Sequence, residues 1–107
     1  MNIGSLYKVK KSFWLLFPTK EIAAYAALGA TAATSAVDGA SPDAAQRAAA
    51  WYSKRFNCEV TDFPLDSIVV CLEEDGKFKK LLTADGLVGW TWFDESCNDC
   101  FEEVKTQ

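Results

Sequence analysis

The sequence predicts an α+β fold, mainly β, with an Ala-rich helical segment between N-terminal strands and a C-terminal β-meander. Three observations lead there. The run "DSIVVCLEEDGKFKKLLTADGLVGWTWF" holds two Asp-Gly pairs flanked by apolar and aromatic residues, as hairpin turns do. The stretch "SPDAAQRAAAWYSKRFN" carries a helix start, a one-sided apolar stripe and a stop. At 107 residues, half of them hydrophobic, the chain is a single domain spanning residues 1–107 with a modest core.

Residues 3–17 read as β. Leu6, Val9 and the run "FWLLF" supply strand formers, with Lys8 and Lys10 alternating on one face. Pro18 stops that run. Residues 20–28 then have good helix propensity, and the chain decays into Thr, Ser and Gly over residues 29–40, which read as a mobile loop. Ser41 is placed as an N-cap, Pro42 at the first helical position and Asp43 at the positive end of the dipole. Ala45, Ala49, Tyr52 and Phe56 share a stripe, with Ala44, Ala48 and Trp51 beside it, and Asn57 suits the stop. Trp51, Tyr52 and Phe56 are expected to bury most of that helix's apolar area. A turn follows over residues 62–66, and the meander occupies residues 67–93. There Asp75-Gly76 and Asp85-Gly86 turn the chain, and Val88, Trp90 and Trp92 share a face. The closing "CFEEV" reads as a short strand pairing with the first, which sets Lys8 and Lys10 near Glu102 or Glu103.

The meander resembles the C-terminal half of bacterial SH3-like domains. Phe78 stands where that family usually has Trp, Leu81 where it has Val, Gly86 at the turn, and Gly89-Trp90 at the signature pair. The match covers roughly a quarter of the chain, and residues 20–59 have no counterpart in a minimal domain of this kind. The resemblance implies a small SH3-like β-barrel with a helical insertion over residues 20–59. It also implies a binding role, often toward peptides.

Composition narrows the chemistry. The net charge of -4 opposes nonspecific binding to nucleic acid, which needs Lys and Arg against phosphates. The basic residues do gather locally at Lys8, Lys10 and Lys11 and at Lys77, Lys79 and Lys80. A nucleic-acid-associated small barrel using Lys8, Lys10, Lys77 and Lys79 is therefore the rival reading. The absence of histidine removes the commonest general base and metal ligand. Ser53, Ser67 and Ser96 thus lack a histidine to activate them, and the pairs Glu73/Glu74 and Glu102/Glu103 point to opposite strand faces. An enzyme is not expected, nor is a cofactor.

Cys97 and Cys100 have the two-residue spacing of zinc and dithiol sites, and Cys58 and Cys71 could complete four thiolates. A zinc-stabilised structural subunit is the third reading. Asp94, Glu95, Asp99, Glu102 and Glu103 crowd the pair, which raises thiol pKa values. Reduced cysteines without metal are expected instead.

Trp14, Phe78, Trp90 and Trp92 are the candidates for a surface that holds an extended ligand. The competing role is core, since a small domain must bury large side chains. No stretch is long and apolar enough to span a bilayer, and "MNIGSLYKVKK" lacks a secretory layout. The sequence therefore predicts a cytoplasmic interaction module with a protein or peptide partner and no membrane.

Overall fold

The computed structural model describes residues 2–10, 13–29, 36–37, 42–63, 65–93 and 100–104, with residues 36–37 described in backbone only. In chain order the elements are β1 (Leu6–Val9), β2 (Phe13–Leu16), α1 (Lys20–Leu28), β3 (Ala36–Val37), α2 (Pro42–Phe56), β4 (Thr61–Phe63), β5 (Ile68–Asp75), β6 (Phe78–Thr83), β7 (Val88–Trp92) and β8 (Phe101–Val104). The fold is α+β and mostly antiparallel strand. One sheet has the order β7-β6-β5-β1-β8 and the other the order β3-β2-β4. Among the described residues they do not close into a barrel.

The run "FWLLF" explains the architecture. All of β2 is buried, as a strand covered on both faces must be. Trp14 and Leu16 enter one apolar cluster with Val9, Val69, Leu81 and Phe93. Leu15 and Phe17 enter another with Ala23, Ala49, Val60 and Trp92. Strand alternation thus makes β2 the partition between two cores. Just past it, Phe17 and Trp90 exchange backbone hydrogen bonds of 2.7 and 2.6 Å, joining the small sheet to β7. Gly89 permits this approach, because a Cβ there would stand 2.6 Å from both the Phe17 carbonyl oxygen and Leu16 Cγ.

The β-run expected over residues 3–17 is therefore two strands in different sheets. β1 lies between β5 and β8, with Tyr7 opposite Val69 and Glu103. Terminal pairing is present as expected. Lys10 Nζ sits 3.3 Å from Glu102, whereas Lys8 turns to Asp66 at 3.7 Å. Such exposed pairs contribute at most a few tenths of a kcal/mol each.

In the meander, Asp75 pairs with Phe78, so the first turn is made by Gly76 and Lys77, one residue later than expected. Gly76, at φ 60°, holds the first central position, where hairpin turns of the II′ kind place glycine. A register shift between Cys71 and Glu73 interrupts the alternation of β5. Val69 and Cys71 precede it on the buried face; beyond it, exposed Glu74 pairs with Lys79 and exposed Glu73 with Lys80.

Both helices dock through alanines. α1 begins where Pro18 ends the strand and Thr19 caps it, its side chain accepting from the Ile22 N–H at 3.2 Å. Ala23 and Ala26 form the buried side, which packs on β6 and β7. α2 buries Ala45 and Ala49 against β2 and β4, with Tyr52 and Phe56 half-buried on the same stripe. The Ser53 hydroxyl donates to the Ala49 carbonyl and accepts from the Val60 N–H, tying the helix end to the next segment. Asn57, at φ 51°, ends α2 in the left-handed conformation. Trp51 departs from expectation. It is 60% exposed, because it lies away from the alanine stripe, edge-on to Tyr52 at 4.9 Å.

Other expectations shift as well. The expected cap Ser41 and most of the loop expected over residues 29–40 lie outside the described residues. Ala36 and Val37, within that stretch, pair with Trp14 and Phe13. The turn expected from residue 62 starts later, since Thr61–Phe63 pairs with β2. Because Ala49 meets a filled core, Ala49→Leu should overpack it and cost roughly 1–3 kcal/mol. Exposed Lys54→Ala should stay within about 0.5 kcal/mol of the parent. Urea midpoints of the two variants check the contrast.

Candidate functional site

Two large aromatics of the meander reach the surface at the outer face of β6 and β7. There the residues alternate outward as Phe78 and Lys80 on β6 and Val88, Trp90 and Trp92 on β7. α1 lies across this face. Its solvent side is a stripe of Glu21, Tyr25 and Leu28, at helical spacings of four and three. Tyr25 is 67% exposed and Leu28 84% exposed. A helix side facing only water has no reason to hold both.

Beside this stripe runs a mostly apolar groove of about 490 Å³ lined by Ala24, Tyr25, Ala27, Leu28 and Phe78, with Lys77 at its edge, its ammonium 5.6 Å from the Phe78 ring centroid. Across the start of α1 lies a second cleft, of about 500 Å³, with Val88 and Trp90 on one wall. Glu21 borders both. The second cleft is polar. It sets Glu21, Glu73, Glu74 and Asp75 against Lys20 and Lys80, and Lys79 stands 3.6 Å from Glu74, so most of its charges are paired. Lys20 is hydrogen-bonded to Asp75, and that bond raises its pKa, so it stays cationic. Lys80 stands 3.9 Å from Glu73. The arrangement is a continuous surface with an apolar end and a polar end of paired charges.

Phe78 and Trp90 both lie on this face, half-buried beside α1, Phe78 on the groove and Trp90 on the cleft. Trp14 and Trp92 do not. Trp14 is fully buried, with ring centroids 5.5 Å from Phe93 and 5.0 Å from Phe101. Trp92 is 2% exposed and lies 5.3 Å from Phe17, beneath the docked helix. Neither can touch a ligand in this fold. The face shared by Val88, Trp90 and Trp92 runs from solvent into the core, because α1 covers only its far end. Tyr25 and Leu28 are the residues that sequence reading missed. Their signal was the spacing from Glu21, read for helix propensity and not for its outward side.

The cationic surface of the rival reading is dispersed. Lys79 is buried on the inner face of β6, its ammonium donating to the Gly76 carbonyl, 3.6 Å from Glu74 and 5.1 Å from the Phe93 ring centroid. Lys8 and Lys10 are engaged by Asp66 and Glu102. The described thiols divide between the two clusters. Cys71 belongs to the cluster around Trp14, where burial and then the Glu74 charge push its pKa up. Cys58 packs on the other cluster, and burial raises its pKa as well. Cys100 packs against the first cluster, and Cys97 lies outside the described residues. Among the described residues no group of three or more His, Cys, Asp or Glu is placed to hold a metal, and no helix is long and apolar enough to cross a membrane.

No protein-family model, curated protein or solved structure matches this chain.

Proposed function

We propose that this chain is a noncatalytic interaction module of the cytoplasm that holds a protein or peptide segment along α1, between Phe78 and Trp90. In this reading the domain is a divergent SH3-like module, with residues 20–59 inserted as the helical segment. The observation behind it is the exposed Tyr25 and Leu28 stripe, which borders a 490 Å³ groove floored by Phe78. Grooves of this size, apolar with few polar groups at one end, suit a short segment anchored by large side chains. The polar cleft beyond Glu21 offers charged and hydrogen-bonding groups next to those anchors.

Selection of peptides from a random display library on the immobilised chain tests this. Enriched sequences should carry a large apolar anchor next to polar residues. Their affinity should fall by at least ~10-fold, or 1.4 kcal/mol, for Leu28→Ser or Tyr25→Ser. It should be unchanged for Lys54→Ala. Enrichment of peptides indifferent to Tyr25 and Leu28, or none at all, contradicts the proposal.

A further inference from the structure

Ion pairing takes up most of the cations of this chain. Lys8, Lys10, Lys20, Arg47, Lys79 and Lys80 each sit beside a carboxylate. Among the described residues three cations are left without one: Lys77, at the groove beside α1, and Lys54 and Arg55, adjacent on α2. Lys54 and Arg55 lie one turn beyond Trp51, at spacings of three and four, so the three share one side of the helix. All three are exposed, because α2 docks through Ala45 and Ala49. Half-buried rings orient two of them. Trp51 stands edge-on to Tyr52, and the Arg55 guanidinium lies 5.9 Å from the Phe56 ring centroid. None of these residues lines the groove or the cleft along α1. Trp and Arg are the side chains that most often anchor interfaces.

We propose that this side of α2 is a second docking surface, whose occupant is a short acidic segment of another protein. An apolar residue of that segment packs on the Trp51 indole. Flanking Asp or Glu side chains meet Lys54 and Arg55, whose guanidinium takes a carboxylate bidentately. From Arg47 to Arg55 the helix rises about 12 Å, the length of about four extended residues. Arg47 already faces Asp43 at 3.5 Å, so the attraction centres on the other end.

Net charge decides between a short segment and an extended polyanion. Taking Lys54 and Arg55 from the net charge of -4 leaves -6 on the rest of the chain. A strand of nucleic acid or an anionic lipid surface runs past the patch and meets that excess. A segment of about four residues does not, because exposed charges farther than about 10 Å are screened at ~0.1 M salt. Two exposed ion pairs and one ring make a weak contact, with a dissociation constant on the order of 1 mM.

Titration of the ¹⁵N-labelled chain with a synthetic peptide, a central Phe between two runs of three Glu, tests the assignment. The Trp51 indole and the α2 amides around Lys54 and Arg55 should shift together toward saturation, while the Trp90 indole stays in place. Affinity should fall at least ~10-fold for Trp51→Ser, for Lys54→Glu with Arg55→Glu, and for the same peptide with Gln in place of Glu. The milder pair Lys54→Gln with Arg55→Gln should weaken binding at least ~3-fold, which keeps the test intact if charge reversal disturbs folding. Leu28→Ser, in the groove, should leave affinity unchanged. A peptide that moves neither Trp51 nor the α2 amides overturns the proposal. So does binding that the Gln peptide or the charge-altered chains retain. Oligothymidylate or phosphatidylserine vesicles that move the same signals at lower concentration overturn it in favour of a polyanion. A contact this weak is lost when an immobilised chain is washed, so the display test of the groove stands or falls separately.

Discussion

Gly89→Ala lowers the stability of the domain by about 3 kcal/mol, the upper part of the range for forcing atoms into a packed site. The new methyl would stand 2.6 Å from a backbone oxygen, that of Phe17, and as close to Leu16 Cγ. The side chain can yield a little; the carbonyl cannot, because it accepts from the Trp90 N–H at 2.6 Å. Relief therefore requires opening the joint between the sheets, at about 1 kcal/mol for each lost hydrogen bond. Against a total of roughly 5–15 kcal/mol this is a large fraction. Val88→Ala, one residue earlier and half in solvent, should change little. Chemical denaturation of the two variants reads the difference directly.

Trp14→Ala costs about 3–5 kcal/mol, as large-to-small changes of buried aromatics do. Trp14 is buried to 0% exposure and is packed by Phe93 and Phe101. Its neighbours in the cluster are themselves packed, so the surroundings relax only partially. Trp51→Ala, by contrast, removes a side chain mostly in water and should cost under about 1 kcal/mol. Urea midpoints should separate these two tryptophans widely, while losses of similar size would contradict the division into core and surface.

That division shows where sequence reading succeeds and where it fails. The limits of α1 were legible because Pro18 and the Ala-rich run are local signals. The meander was legible for the same reason, its glycines marking turns to within a residue. β3 and β4 were not, since two- and three-residue strands have no period, and theirs exist because β2 offers them an edge. The roles of the tryptophans stayed open between surface and core, because nothing local says which face of β7 a helix covers. A sheet with one wet face would leave every second residue of β7 in solvent, but α1 covers part of that face and takes Trp92 inside. Lys79 fell to the same cause. The bulge before Glu73 and the inward face of β6 pair Lys79 with Glu74 and Phe93, a non-local arrangement that no spacing announces.

The Gly89-Trp90 pair, read first as a family signature, thus has two physical duties. Glycine lets the two sheets touch, and Trp90 supplies the backbone partner for Phe17 while its ring stays at the cleft. The functional account depends on that second point. The most direct test is to titrate the ¹⁵N-labelled chain with a display-selected peptide and follow its indole signals, together with the α1 backbone amides. The Trp90 indole, the Phe78 amide and the amides around Tyr25 and Leu28 should shift together, saturating at one peptide per chain, while the Trp14 and Trp92 indoles stay in place. Saturable binding that moves Trp14 or Trp92 and leaves Trp90 and α1 unchanged would contradict the account.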